Sequence, residues 1–272
     1  MKHILVISGS RADYGLLAPI VEALRGQFDV EFFRAWGNFE APLSDPDLLL
    51  LLGDRHEILH AALWAHLTRI PIAHIAGGDV TEGSYDDAMR DCISRIASIH
   101  FVTSTSAMAR LTHMGYRNVH LVGNPAIDVI RNADWKRERP IAEPYIVINY
   151  QPETMAENPA APLIAALPTL PMNRARVYFR PNPDRGSDEV NRIIDDIRLP
   201  VDKVYDSLPH HEYLNLLAHC EELIGNSSSM LYEAPELGIK TRMIGNRQKG
   251  RTLPWGDGNA SKRIANILRY TL

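Results

Sequence analysis

The sequence predicts an α/β chain made of two parallel-sheet domains, and three observations carry that expectation. Short apolar runs of strand length alternate with stretches of helical spacing along the whole chain, the pattern of a parallel sheet with crossover helices. Clusters of Gly, Asp, Arg and Ser recur directly after the apolar runs, on one side of them only. The alternation breaks once, at the charged, proline-bearing NADWKRERPIAEP of residues 132–144, which has the composition of a linker. Domains covering residues 1–135 and 145–272 follow.

In the first domain, residues 3–8 (HILVIS) read as a strand and 16–25 as an amphipathic helix. Residues 30–35 form a second strand, and 47–52 a third so rich in leucine that both its faces must be covered. Helix 58–67, strand 71–75, helix 86–98 and strands 100–103 and 119–122 complete the half. The second domain repeats the alternation. Strands are expected at 145–149, 176–179, 203–205, 222–225 and 241–244, with helices near 160–166, 188–196, 213–219 and 231–237.

Composition excludes several classes of function. The 272 residues are 45% hydrophobic and 23% charged, with a net charge of −4 and no Lys/Arg block. A broad electrostatic grip on nucleic acid is therefore not indicated. No run approaches the ~18–20 apolar residues of a membrane span, and the N-terminal apolar stretch is too short for a signal peptide. Cys92 and Cys220 lie far apart in helix-like apolar patterns and read as buried free thiols. The expected location is the cytoplasm.

In parallel α/β folds ligands sit beyond the carboxyl ends of the strands, which is where SGSRADYG, GDRHE, HIAGGDVTEGSYDD, NYQPE, FRPNPDRG, GNSSS and IGNRQKGR all fall. Seven clusters at one end point to a common cleft between the domains. IGNSSSMLYEAPELG (residues 224–238) is the most specific of them. Asn226 or one serine would serve as a helix cap, whereas Ser227, Ser228 and Ser229 together suit an anion held at a helix N-terminus. Arg11, in a strand-to-helix turn that is not GxGxxG, could pair with a phosphate or remain a surface residue. Asp54 closes the leucine strand, where a carboxylate is costly unless paired or used; its structural alternative is a salt bridge to Arg55 or His56. Asp79, Glu82, Asp86 and Asp87 crowd one loop and a helix start, where the helix dipole alone could explain the last two, and no metal site is expected from them. His74 reads as a satisfied core histidine. Arg247 and Lys249 either meet phosphates or belong to a solvated loop.

Together these pieces resemble the hydrolysing UDP-N-acetylglucosamine 2-epimerase family, in its sialic-acid-pathway branch. GSRADYGLL, LGDRHEI, IPIAHIAGGDVTEGSYDDAMR, ISRIASIHF, LVGNPAID, IGNSSSMLYEAP and IGNRQKGR occur in the family's order and cover most of the chain. The resemblance implies a GT-B-like fold, two Rossmann-like domains facing across a cleft that holds a UDP-sugar. It implies that Ser227, Ser228 and Ser229 hold the diphosphate and that Glu233, a turn or more into the following helix, accepts from the ribose. Arg11 would sit near the phosphates, with Asn182, Arg247 and Lys249 as further UDP-sugar contacts. Asp54 and Asp86 match carboxylates implicated in catalysis. The family uses no redox cofactor: UDP leaves C1 as a base takes the C2 proton, and water then adds to the glycal.

Three departures bear on that chemistry. Gln151 stands where the family has a catalytic-site histidine, and glutamine cannot shuttle a proton near neutral pH. Ala76 occupies an acid position of one branch, leaving Asp79 as the acid of the other. The stretch between the second strand and GDR is only AWGNFEAPLSDP, so the first domain is reduced. Two enzyme readings follow: a minimal 2-epimerase using Asp54, Asp79 and Asp86, or a glycosyltransferase passing the sugar to an acceptor, for which Gln151 is no obstacle. A hydroxymethylated base in viral DNA is one acceptor class, weighed against by the lack of basic excess. A non-catalytic UDP-sugar binder is the third reading, and homodimerisation stays open.

Overall fold

The computed structural model describes residues 1–81, 85–132, 136–251 and 255–272, with the side chains of all these except Arg11 and Ala12. The chain divides into two compact units. The first comprises Met1–Val80, Asp86–Asn132 and Thr252–Leu272; the second comprises Thr81–Tyr85 and Ala133–Arg251.

The first unit carries β1 (His3–Ser8), α1 (Arg11–Arg25), β2 (Asp29–Arg34), β3 (Leu48–Leu52), α2 (His56–Leu67), β4 (Ile72–Ile75), α3 (Asp86–Ile96), β5 (Ile99–Val102), α4 (Thr105–His113), β6 (Val119–Leu121) and α5 (Pro125–Asn132). Its six strands lie in the order β2-β1-β3-β4-β5-β6, all parallel. Every residue of β3 is buried, because helices cover both faces of the sheet. Leu17, Ile20 and Leu24 of α1 pack on one face; Ile58, Ala61 and Ala65 of α2 and Ile93 of α3 pack on the other. The short β2–β3 connection carries neither helix nor strand. The fully buried carboxylate of Glu57 accepts from Gly37 N in that connection at 3.2 Å and from Arg55 Nε at 3.2 Å.

The second domain expected over 145–272 does not keep its C-terminal end. The last helix, α10 (Ala260–Thr271), belongs to the first unit, where Ile264 and Leu268 are fully buried beside α1. Each such side chain contributes about 1.5–3 kcal/mol. The docking is also polar: buried Asp128 of α5 accepts from Ala260 N at 3.0 Å and from Ser261 N at 2.6 Å. One carboxylate thus satisfies two of the donors that a helix start leaves without partners.

The second unit carries β7 (Tyr145–Asn149), α6 (Ala161–Ala166), β8 (Ala175–Phe179), α7 (Ser187–Ile197), β9 (Lys203–Tyr205), α8 (His210–Ala218), β10 (Leu223–Gly225), α9 (Glu233–Leu237) and β11 (Thr241–Met243). Its five strands lie in the order β11-β10-β7-β8-β9, again all parallel. Ile146, Ile148, Leu163 and Val190 fill one face, and Val147, Val177, Leu217 and Leu223 the other.

The single helix expected over 231–237 is interrupted. Ser228–Met230 form a 3₁₀ turn, and the α-helical segment starts only at Glu233. Pro235 lacks the N–H that would bond the carbonyl of Leu231, so the ladder cannot run through. Glu233 is therefore the first residue of α9, not one a turn deep. Both cysteines are free, but Cys92 is exposed and Cys220 only half-buried. Among the described residues no helix is long and apolar enough to cross a membrane.

Candidate active site

Strand order places two sets of polar groups. In an open parallel sheet the crevice forms where neighbouring strands are entered from opposite directions, outside their carboxyl ends. In the first unit that point lies between β1 and β3, and in the second between β7 and β10. The SGSR turn and Asp54 leave the first pair. Asn149–Tyr150–Gln151 and Gly225–Asn226–Ser227 leave the second.

The first set is charged. Arg90 of α3, 2% exposed, pairs with Asp54 after β3 and with Asp87 in its own first turn. It also donates to the carbonyl of Asp79 at 2.7 Å. Burial alone would lower the pKa of this guanidinium, but Asp54, Asp87 and Asp79 hold it above its ordinary value. The buried Asp79 carboxylate accepts from Thr103 Oγ1 at 2.9 and 3.2 Å. Asp86 opens α3, four residues before Arg90 and so on the same helix face. On the β1 side, Asp13 Oδ2 is buried with no hydrogen-bond partner among the described residues, and burial pushes the Asp13 carboxyl up to about 6.

His74 of β4 joins two parts of this set. Its Nε2 meets the Gly53 carbonyl at 2.8 Å, directly before Asp54, and its Nδ1 meets Ser94 Oγ of α3 at 3.1 Å. Burial pushes the imidazole down to about 4. Neutral, it donates to the carbonyl and accepts from the serine. Gly77 passes so close that a Cβ there would stand 2.8 Å from Ser94 Oγ and 3.0 Å from His74 Nδ1, so the first glycine of the GGD run gives clearance to this pair.

The second set is made mostly of amides and hydroxyls and built on Asn226, which is fully buried. Its side chain clamps the backbone of Gln151, accepting from Gln151 N at 2.6 Å and donating to Gln151 O at 2.8 Å. Gln248 Nε2 bonds the Asn226 carbonyl at 2.7 Å. Gly225, at φ +145°, lets the ends of β7 and β10 approach this closely; a Cβ would overlap the Asn149 carbonyl. Ser227 caps the 3₁₀ turn, its Oγ accepting from Ser229 N at 3.3 Å. Ser229 Oγ receives the Tyr213 hydroxyl at 2.8 Å. Glu233 is buried, 3.5 Å from His210 Nε2, and among the described residues its Oε2 accepts no bond. Burial, with Glu233 next, pushes the Tyr213 phenol above its ordinary range.

Asp54 and Asp79 are thus brought to Arg90 at the head of α3, where Asp86 also lies, and Gln151, Ser227, Ser228, Ser229 and Glu233 gather at the second crevice. Asn182 reaches Gln151 through its backbone N–H, at 3.0 Å. Arg247 is turned to the Pro152 carbonyl at 2.7 Å, and Lys249 is exposed. The Arg11 side chain and Glu82 lie outside the described residues. Because the segment after the serines starts as a 3₁₀ turn, its hydroxyls rather than a long helix dipole make the site receptive to an anion. Asn226, expected only as a possible helix cap, instead pins Gln151 and leaves the cap to Ser227; Arg90, Asn149 and Tyr213 were not singled out by sequence. Arg90 had a signal, standing three residues after Asp87 and four after Asp86; the other two depend on strand adjacency.

A family model described as UDP-N-acetylglucosamine 2-epimerase matches residues 41–253. A Campylobacter jejuni protein named GDP/UDP-N,N'-diacetylbacillosamine 2-epimerase (hydrolyzing) is 30% identical over 236 residues, 80% of this chain; the chain spans 61% of that protein's length. The UDP-N-acetylglucosamine 2-epimerase of Neisseria meningitidis is 27% identical, over 92% of this chain and 81% of its own. Among solved structures, the S. aureus MnaA–UDP complex superposes with a TM-score of 0.78 at 18% identity, covering 100% of this chain and 97% of that one. Methanocaldococcus jannaschii UDP-GlcNAc 2-epimerase, in complex with UDP-GlcNAc and UDP, gives 0.76 at 16% identity, covering 99% and 100%. These two likenesses establish the fold, a GT-B-like pair of Rossmann-like units.

Proposed function

Since this chain belongs to the UDP-N-acetylglucosamine 2-epimerase family, we propose that it is a UDP-sugar-dependent enzyme that breaks the bond between the anomeric carbon and UDP, as a hydrolysing 2-epimerase does. The observation that carries the reading is Glu233 Oε2, a buried acceptor that takes no bond among the described residues, a few residues along the chain from Ser227 and Ser229. An unmatched buried acceptor is costly, and a ribose hydroxyl would satisfy it while the serines meet the diphosphate. Arg11, Asn182, Arg247 and Lys249 complete the proposed UDP-sugar contacts.

The proton chemistry falls to the carboxylates of the first unit. Asp54 or Asp86 takes the C2 proton as UDP departs from C1, leaving a 1,2-unsaturated glycal. Water then adds its oxygen to C1 and a proton reaches C2 from the opposite face, giving N-acetylmannosamine and UDP. Asp79 is the candidate for that second proton. Arg90, holding Asp54 and Asp87 together, keeps the pairing carboxylates fixed. A cytoplasmic location and a homodimer are parts of the same proposal, the first supported by two free cysteines.

One observation favours a second reading. Gln151 uses both ends of its amide within the protein, which leaves the family's histidine position without a proton carrier. A glycosyltransferase would not need one, requiring only a base near an acceptor hydroxyl. NMR in deuterated water separates the two. Incubation with UDP-N-acetylglucosamine should give N-acetylmannosamine bearing deuterium at C2. UDP release without deuterium, or release only after an acceptor is added, would replace the epimerase with a transferase.

A further inference from the structure

A chain of hydrogen bonds runs through the second unit from the loop after β8 to the serine turn. Asn182 N donates to Gln151 Oε1 at 3.0 Å, Gln151 Nε2 to Asn149 Oδ1 at 3.1 Å, Asn149 Nδ2 to the Tyr213 oxygen at 3.2 Å, and Tyr213 OH to Ser229 Oγ at 2.8 Å. Amides and hydroxyls can in general turn either way. Here they cannot, because the first member is a backbone N–H, which only donates. It fixes oxygen as the near end of the Gln151 amide and nitrogen as the far end. That sets the Asn149 amide, which in turn sends the Tyr213 proton towards Ser229. Ser227 Oγ donates to Ser229 Oγ as well, at 3.3 Å. With both acceptor positions of its oxygen taken, Ser229 has only its own proton left to give.

We propose that this relay is a polarity device: Gln151 is a positioning residue that holds the Ser229 hydroxyl as a donor and so makes the turn selective for a ligand rich in acceptors, a diphosphate rather than an uncharged nucleoside. The inference rests on the UDP-sugar reading above and adds a role for the residue that departs from the family pattern. Gln151 carries no proton in the reaction. It transmits direction, and its amide is the only part that matters.

Reversal is the test. In Gln151→Glu the carboxylate still accepts from Asn182 N but cannot donate to Asn149. The Asn149 amide must then turn over, the Tyr213 proton points back, and Ser229 presents a lone pair to the anion. Asn149→Asp reverses the relay from a second position. Titration calorimetry with UDP and with uridine should show both variants losing roughly 10- to 100-fold in UDP affinity, with uridine affinity changed by less than about twofold. The added charge repels UDP by itself, so the decisive protein is Gln151→Glu/Tyr213→Phe. There the relay is cut and the charge retained, and several-fold of the lost UDP affinity should return. Equal losses for UDP and uridine, or a double variant as weak as Gln151→Glu, would overturn the relay while leaving UDP binding standing. Wild-type protein that binds no UDP would overturn the functional reading and this inference with it.

Discussion

The two crevices are solved by opposite means. In the first unit a buried arginine gathers carboxylates, so the groups are charged, close and costly to separate. In the second, the equivalent position is held by amides and hydroxyls, with Asn226 as the pin and the buried Glu233 carboxylate, 3.5 Å from His210 Nε2, beside them. The difference fits what each would do in the proposed reaction. Proton transfer needs groups that can change charge, and charge in a buried site survives only if balanced. Recognition of a diphosphate needs donors that stay put, and amides and hydroxyls locked by one another would supply them.

The sharpest way to break this contrast is Asp54→Asn. It keeps the shape and removes the carboxylate, and turnover should fall by about 10²–10⁴, while UDP affinity by calorimetry stays within a few-fold. A parallel collapse of UDP binding would mean the two sets are not separate in role. Acid should expose the second largest difference. Burial lowers His74 and His100 of the first unit from 6.5 to about 4, so the unfolded chain takes up these protons first. Their contribution to stability is complete above about 6.5 and is lost as pH falls towards 4. Asp13, raised from 3.8 to about 6, acts in reverse, stabilising most below 3.8 and losing that contribution as pH rises through 6, which blunts the effect. Hydrogen exchange between pH 7 and 4.5 should show the first unit losing protection before the second, and His74→Asn should flatten the response. The smallest effect comes from the second crevice. Glu233→Ala should weaken UDP about tenfold, one hydrogen bond's worth, with little change in turnover at saturation; a lost kcat instead would move Glu233 into the chemistry.

Much of this fold could be read directly, since strands covered on both faces advertise themselves as unbroken apolar runs; the LLLLL of β3 is the plainest case. The serine cluster was legible for a similar reason, three hydroxyls between a strand and a helix having few other uses. Arg90 was harder, because an arginine on a helix is ordinarily solvated and only tertiary packing buries this one. Asn226 was in view only as a helix cap, and Asn149 and Tyr213 were out of reach. Their partnership requires that β7 and β10 be neighbours, and strand order is not written in local pattern. The depth of Glu233 was misjudged because Pro235, harmless near a helix start, removes the one N–H that would have joined the 3₁₀ turn to α9. Asp128, inside the family-like NPAID, is a different case: its carboxylate fastens α10, a role that only tertiary packing reveals.

That fastening has a consequence for synthesis. The first unit cannot close its core until α10 is made, and nearly all of the second unit's chain is translated in between, on the order of ten seconds at ribosomal speed. Through that interval the apolar faces of α1 and β1 lack their last cover. The nascent chain should therefore release the whole of the second unit before α10, and a chain cut just before residue 260 should display a first unit open to proteases and chaperones.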